Sequence, residues 1–153
     1  CSSLTSLGLP TGRTSIGEDA FRGCSSLASV TLPADLTSIG IGAFSGCTSL
    51  ASITLPASIT SIGEGAFDRC SALTSVTLPA GLTSIGDYAF ECCSSLAAIN
   101  LPAGLTSIGN GAFYGGDQLG TQLFAGLRFK EFLAFAACVG SLLGLLRLLN
   151  ASS

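Results

Sequence analysis

Apolar residues recur along this chain in a fixed phase, with polar residues at equally fixed positions between them. The stretch 27–49, LASVTLPADLTSIGIGAFSGCTS, shows the pattern. Val30 and Leu32 alternate with Ser29 and Thr31, which is the period of a strand with one buried face. Pro33 ends that strand, because proline has no N–H to give to a ladder. Leu36 and Ile39 form a second apolar pair around Thr37 and Ser38. Gly40 then permits a backbone turn that a Cβ would resist. Ala43, Phe44 and Cys47 follow at a spacing that predicts a short helical turn with those side chains inward.

The same pattern returns every 23 residues. Proline stands at Pro10, Pro33, Pro56, Pro79 and Pro102, and phenylalanine at Phe21, Phe44, Phe67, Phe90 and Phe113. Cysteine stands at Cys1, Cys24, Cys47, Cys70 and Cys93, and leucine opens each unit at Leu4, Leu27, Leu50, Leu73 and Leu96. An Ile-Gly pair recurs from Ile16-Gly17 to Ile108-Gly109. Strict phase at that many positions marks an internal repeat. One unit cannot bury its own apolar set. Stacked units can, since each apolar position then packs on its counterpart one repeat away. The first unit departs once: Arg13 stands where Leu36, Ile59, Leu82 and Leu105 stand, as in a frayed edge repeat.

Written as LASVTLPADLTSIGIGAFSGC, LASITLPASITSIGEGAFDRC and LTSVTLPAGLTSIGDYAFECC, the units resemble the BspA-type leucine-rich repeats of bacterial and protist surface proteins. The resemblance covers residues 1 to about 115. The expected fold is therefore an α/β repeat solenoid, strand-dominated with short helical turns. Residues 1–116 are expected to form five leucine-rich units, and 117–153 a hydrophobic helical C-terminal cap or membrane segment. The resemblance implies extracellular or cell-surface display, adhesion and protein–protein contact.

Composition narrows the chemistry. Charged residues make up 10% of the chain, against roughly 25% in ordinary domains. Net charge is −3, and residues 1–117 contain no Lys. A nucleic-acid surface needs clustered Lys and Arg to neutralise phosphates, so nucleic acid is not an expected partner. The chain has no His, so its Ser and Cys residues have no evident base to activate them. An enzyme is not expected, nor is a cofactor. The chain has no Met and opens at Cys1 in the middle of a repeat, as expected of a fragment or processed product.

Three ladders invite a functional reading. The cysteine ladder is expected to be buried and reduced, filling the stack as small apolar side chains; disulfides between neighbouring repeats are the sharper alternative. No CxxC pair is present, so zinc is not expected. Cys92 stands off phase beside Cys93 and is the expected reactive thiol. Glu18, Ile41, Glu64, Asp87 and Asn110 form a second row just after the Ile-Gly pair. It reads as favourable charge at the start of a helical turn rather than as a cation site, because calcium needs about six to eight converging oxygens.

The third ladder is the candidate binding surface. Ser29, Thr31, Ser52, Thr54, Ser75 and Thr77 point away from the core on the first strand, with Asn100 at its imperfect end. Leucine-rich arrays of the horseshoe type bind through this face. It is flat, and it lacks the Trp, Tyr and Arg that dominate hot spots. A solvated face belonging to a purely structural spacer is thus a competing reading. A hydroxyl array matched to an ordered polar lattice, ice or polysaccharide, is another.

Repeat phase fails after Phe113, where Gly116 replaces the next Cys. From Leu123 the sequence turns apolar: LFAGLRFKEFLAFAACVGSLLGLLRLL. A helical cap over the open end of the stack is one expectation. A membrane segment through residues 132–149 is the other, although its uncharged run, Phe132 to Leu146, is shorter than the roughly twenty residues of a span. The abrupt change of composition also fits a non-native end.

Overall fold

The computed structural model describes residues 1–116. The expected C-terminal helix, as cap or membrane segment, lies outside the described residues. Among those described, no helix is long and apolar enough to cross a membrane.

The strands in chain order are β1 (Ser6–Gly8), β2 (Ser15–Ile16), β3 (Ser29–Thr31), β4 (Ser38–Ile39), β5 (Ser52–Thr54), β6 (Ser61–Ile62), β7 (Ser75–Thr77), β8 (Ser84–Ile85) and β9 (Ser107–Ile108). All pairing is parallel and offset by one repeat, as in Ser52↔Ser75 and Ser61↔Ser84. The chain is a leucine-rich-repeat β-solenoid.

Two expectations are corrected. The first concerns the turn after each Ile-Gly pair, which is not helical; among the described residues there is no helix at all. The backbone bonds explain why. An α-helix commits successive N–H groups to carbonyls four residues back. Here the N–H groups alternate. Asp19, Phe21 and Gly23 donate across to the carbonyls of Ile41, Ala43 and Ser45 on the next rung, at 2.8, 2.8 and 2.7 Å. Ala20, Arg22 and Cys24 fold back to Gly17, Asp19 and Phe21 at 3.4, 3.1 and 3.2 Å. Left-handed residues recur to allow this, with Gly42 at φ 60° and Gly46 at φ 74° in the second unit. The fold is therefore not α/β. With the helix goes the account of the Glu18, Glu64 and Asp87 row as charge at a helix start.

The second correction is a strand the periodicity hid. Thr37-Ser38-Ile39 and its equivalents carry the longest sheet, with order β2-β4-β6-β8-β9. The first strands pair only as β1-β3 and β5-β7. In the fifth unit the first strand shrinks to a single bridge, Ser75↔Ala98. The long sheet is reinforced by threonine, a β-branched residue suited to a pleated surface. Each of Thr37, Thr60, Thr83 and Thr106 donates its hydroxyl to the carbonyl of the threonine one rung before, at 2.9, 3.3, 3.0 and 3.0 Å.

The core runs down the axis as stacked ladders. Phe44, Phe67 and Phe90 are fully buried, and successive rings from Phe21 to Phe113 stack with centroids 5.2–5.5 Å apart. No polar or charged residue is buried among those described. The N-terminal end is looser: Leu4, Leu7, Leu9 and Phe21 are only partly buried, and Arg13 is exposed.

Candidate functional site

The first-strand face holds the predicted binding residues as follows. Ser29 and Thr31 flank the half-buried Val30 on β3, while Ser52 and Thr54 flank the buried Ile53 on β5. Ser75 and Thr77 flank the buried Val76 on β7. All six polar side chains are exposed, because a strand sends alternate residues to opposite faces. Asn100 is exposed too, but it lies outside any strand. The hydroxyls of these six residues make no hydrogen bond among the described residues. This separates them from the threonines of the long sheet, whose hydroxyls are already committed.

A second surface was missed at the level of sequence. It is formed by the turns at 18–23, 41–46, 64–69 and 87–92. Eight of the ten charged residues described lie on these turns; only Arg13 and Asp35 lie elsewhere. Glu18, Asp19, Glu64, Asp68 and Glu91, with Arg22, line a shallow groove of about 270 Å³ that also meets Ile41 and Tyr88. Among the described residues the exposed large apolar ones are Ile41, Tyr88 and, one rung on, Tyr114, so all three belong to the turns. Tyr88 sits at φ 55°, where Gly42, Gly65 and Gly111 stand in other units. A bulky residue there carries a conformational cost, of order 1–2 kcal/mol. The signal in the sequence was the departure itself: Tyr88 stands where Gly42, Gly65 and Gly111 stand in other units.

The charges on this face are partly paired. Arg22 reaches Asp19 at 3.4 Å and Arg69 reaches Asp68 at 3.8 Å. The backbone N–H of Asn110 donates to an Asp87 carboxylate oxygen at 2.7 Å. Among the described residues no group of three or more His, Cys, Asp or Glu is arranged to hold a metal ion.

The cysteine ladder is not uniform. Cys1 and Cys24 form a disulfide, which corrects the expectation of an all-thiol ladder. Cys47, Cys70 and Cys93 are free and buried, as expected. Their thiols donate to the carbonyls of Phe21, Phe44 and Phe67 at 3.3, 3.2 and 3.2 Å. Burial pushes the Cys47 thiol up to about 11 and the Cys93 thiol to about 12, and drives Cys70 higher still. Cys92 is partly exposed and less perturbed; burial and then Glu91 raise it.

A thiol raised in the fold is kept neutral by folding. That contribution is complete below the ordinary value of 9.0 and is lost as pH climbs through 11 and 12. At pH 8, iodoacetamide is therefore expected to alkylate Cys92 at least tenfold faster than Cys47, Cys70 or Cys93, since the thiolate is the nucleophile. Peptide mass spectrometry over a time course checks this. Equal rates at all four would mean that the ladder is open to solvent.

Comparison with known proteins agrees with this architecture. The family model described as "BspA type Leucine rich repeat region" matches residues 1–120 in 6 copies. A solved leucine-rich repeat protein of T. pallidum is similar, with 35% identity and a TM-score of 0.75 over 78% of this chain. One from Bacteroides ovatus has 39% identity and a TM-score of 0.75 over 80% of the chain. A leucine-rich cell surface protein of Faecalibacterium prausnitzii has 33% identity and a TM-score of 0.59 over 78% of it. The chain spans 58%, 32% and 38% of those three proteins. No curated protein matches it. On the repeat match across most of its length and the shared architecture, the chain belongs to the BspA-type leucine-rich repeat family.

Proposed function

We propose that this chain is a protein-interaction or adhesion module, displayed at the cell surface or outside the cell, that binds through its first-strand face. The contact residues are Ser29, Thr31, Ser52, Thr54, Ser75 and Thr77, with Asn100 at the edge. One observation carries the reading: these hydroxyls are exposed in register and have no partner among the described residues. Surface display is supported by family membership and by the cell-surface relative from Faecalibacterium prausnitzii. A lattice ligand such as ice or polysaccharide ranks below a protein, because the first strands break into separate pairs. The hydrophobic segment beyond residue 116 is the proposed cap or anchor of the array.

The turn face supports a second reading. Its exposed Ile41, Tyr88 and Tyr114 beside carboxylates suit a protein segment carrying Lys or Arg, since aromatic rings and opposed charges supply hot spots that a serine face lacks. One experiment separates the two. The immobilised chain is screened against purified extracellular proteins by surface plasmon resonance, and every hit is retested with two variants. The triple variant Thr31→Lys, Thr54→Lys, Thr77→Lys is expected to weaken binding at least a hundredfold with an unchanged circular dichroism spectrum. Tyr88→Gly removes the ring while suiting the left-handed backbone, and it should leave binding intact. The opposite pair of results would move the site to the turn face.

A further inference from the structure

The cysteine ladder is oxidised at one end, at Cys1 and Cys24, and is reduced in its buried middle. Cys1, Cys24 and Cys47 occupy one position on three consecutive rungs, and the Cys1–Cys24 rung spacing is 4.9 Å between Cα atoms. The next rung is held alongside by the Gly23 N–H on Ser45 at 2.7 Å and by the Thr48 hydroxyl on Ser25 at 3.4 Å. The Cys47 thiol leans toward the bonded pair. It donates to the carbonyl of Phe21, which also accepts the Cys24 N–H at 3.2 Å. In ladder order, the free Cys47 thiol is thus one rung from Cys24 of the disulfide, and Cys1 is one rung beyond Cys24 on the other side. Thiol–disulfide exchange uses that arrangement: attack by a thiolate on one sulfur expels the other.

We propose that Cys47 is an internal exchange nucleophile, converting the Cys1–Cys24 disulfide into a Cys24–Cys47 disulfide and releasing Cys1 as a thiol at the exposed N-terminal edge. The step balances without an oxidant. Cys47 loses its proton, its sulfur bonds Cys24 Sγ, and the Cys1–Cys24 bond breaks. The electron pair leaves on Cys1 Sγ, which takes up a proton. The disulfide count stays the same; only its rung changes.

The pH dependence follows from where each thiol sits. Cys47 is buried and raised to about 11, by burial against a smaller opposing effect of the Cys24 backbone; no charged side chain acts on it among the described residues. A thiol released into water ionises near the usual value of about 8.5. Raising pH from 8 to 10 therefore favours the stepped form about tenfold or more, and it also speeds the attack.

Trypsin reads the register directly. Cleavage after Arg13, Arg22 and Arg69 leaves peptides 1–13 and 23–69, which are linked in the Cys1–Cys24 form. After the step, 1–13 is free with a Cys1 open to alkylation, and 23–69 carries an internal disulfide. The full chain is held without reductant at pH 8 and pH 10, quenched in acid, alkylated and digested. The expected result is at least a fivefold rise in free, alkylated 1–13 at pH 10, at a rate independent of protein concentration. Cys47→Ser should abolish the release and Cys70→Ser should not. Peptide 1–13 remaining linked at pH 10 would overturn the proposal. So would release that persists in Cys47→Ser, or release whose rate rises with concentration.

Discussion

Phe67→Ala is expected to cost the array about 3–5 kcal/mol, the range for removing a buried aromatic ring from a packed core. Phe67 has no exposed surface and stacks on both sides, against Phe44 at 5.5 Å and Phe90 at 5.2 Å, with planes 8° apart in each case. Truncation leaves a cavity that the flanking rungs cannot close. The carbonyl of Ala66 and the N–H of Phe67 are bonded to Phe44 and Ala89 at 2.8 Å on either side. The same change at the edge is the comparison. Phe21 is only partly buried and has one ring neighbour among the described residues, Phe44. Phe21→Ala should therefore cost less than half as much. Urea unfolding of the two variants followed by circular dichroism checks this. Equal losses, or a central loss under about 1 kcal/mol, would mean the phenylalanine stack does not carry the stability of the repeat.

What the sequence made legible follows from how each position is constrained. The Phe, Leu and Cys ladders were readable because a stacked repeat forces the same burial on the same position at every turn. Cys47, Cys70 and Cys93 accordingly lie in the core with Phe44, Phe67 and Phe90. The strand at Ser38–Ile39 was not readable. Two residues are too few to show a period, and the pairing that makes them a strand comes from rungs 23 residues away. The turn after Gly40 was misread as helical because Ala43, Phe44 and Cys47 share a helical spacing. Gly42 and Gly46, four residues apart, were the contrary signal, since a helix interior disfavours glycine by about 1 kcal/mol each. The six hydroxyls of the candidate face were placed by alternation alone. The turn groove was not, because Glu18, Ile41, Glu64 and Tyr88 converge only through the stacking of coils. The Cys1–Cys24 disulfide was beyond sequence as well: Cys1, Cys24 and Cys47 are indistinguishable by phase.

The Ile-Gly glycines give the sharpest test of that stacking, because one repeat position meets two environments. A Cβ built on Gly86 would lie 2.5 Å from the Glu64 nitrogen and 2.6 Å from the Gly63 carbonyl carbon. On Gly63 it would lie 2.7 Å from Gly40 and Ile41 backbone. These neighbours are main chain, so no side chain can rotate away. Relief requires the coils to part beside the Ser61↔Ser84 and Ile62↔Ile85 pairs and the Gly86 N–H bond to Ile62 at 2.8 Å. Gly17 occupies the same repeat position in the first described unit, and a Cβ there meets nothing within 4 Å. Neither Gly86 nor Gly17 is in the left-handed region, so backbone strain does not separate them. Overpacking a tight site costs roughly 1–3 kcal/mol and occasionally more. Gly86→Ala is expected at or beyond the top of that range, because backbone faces backbone. Gly17→Ala should stay within about 0.5 kcal/mol of the parent, as open surface changes do. The pair is measured by urea unfolding under one set of conditions. A large loss at Gly86 with none at Gly17 means the glycine is kept by the approach of the preceding coil. Matching effects would mean the coils stand further apart than the contact at Glu64 requires, and the parallel sheet at Ser84–Ile85 would have to be redrawn.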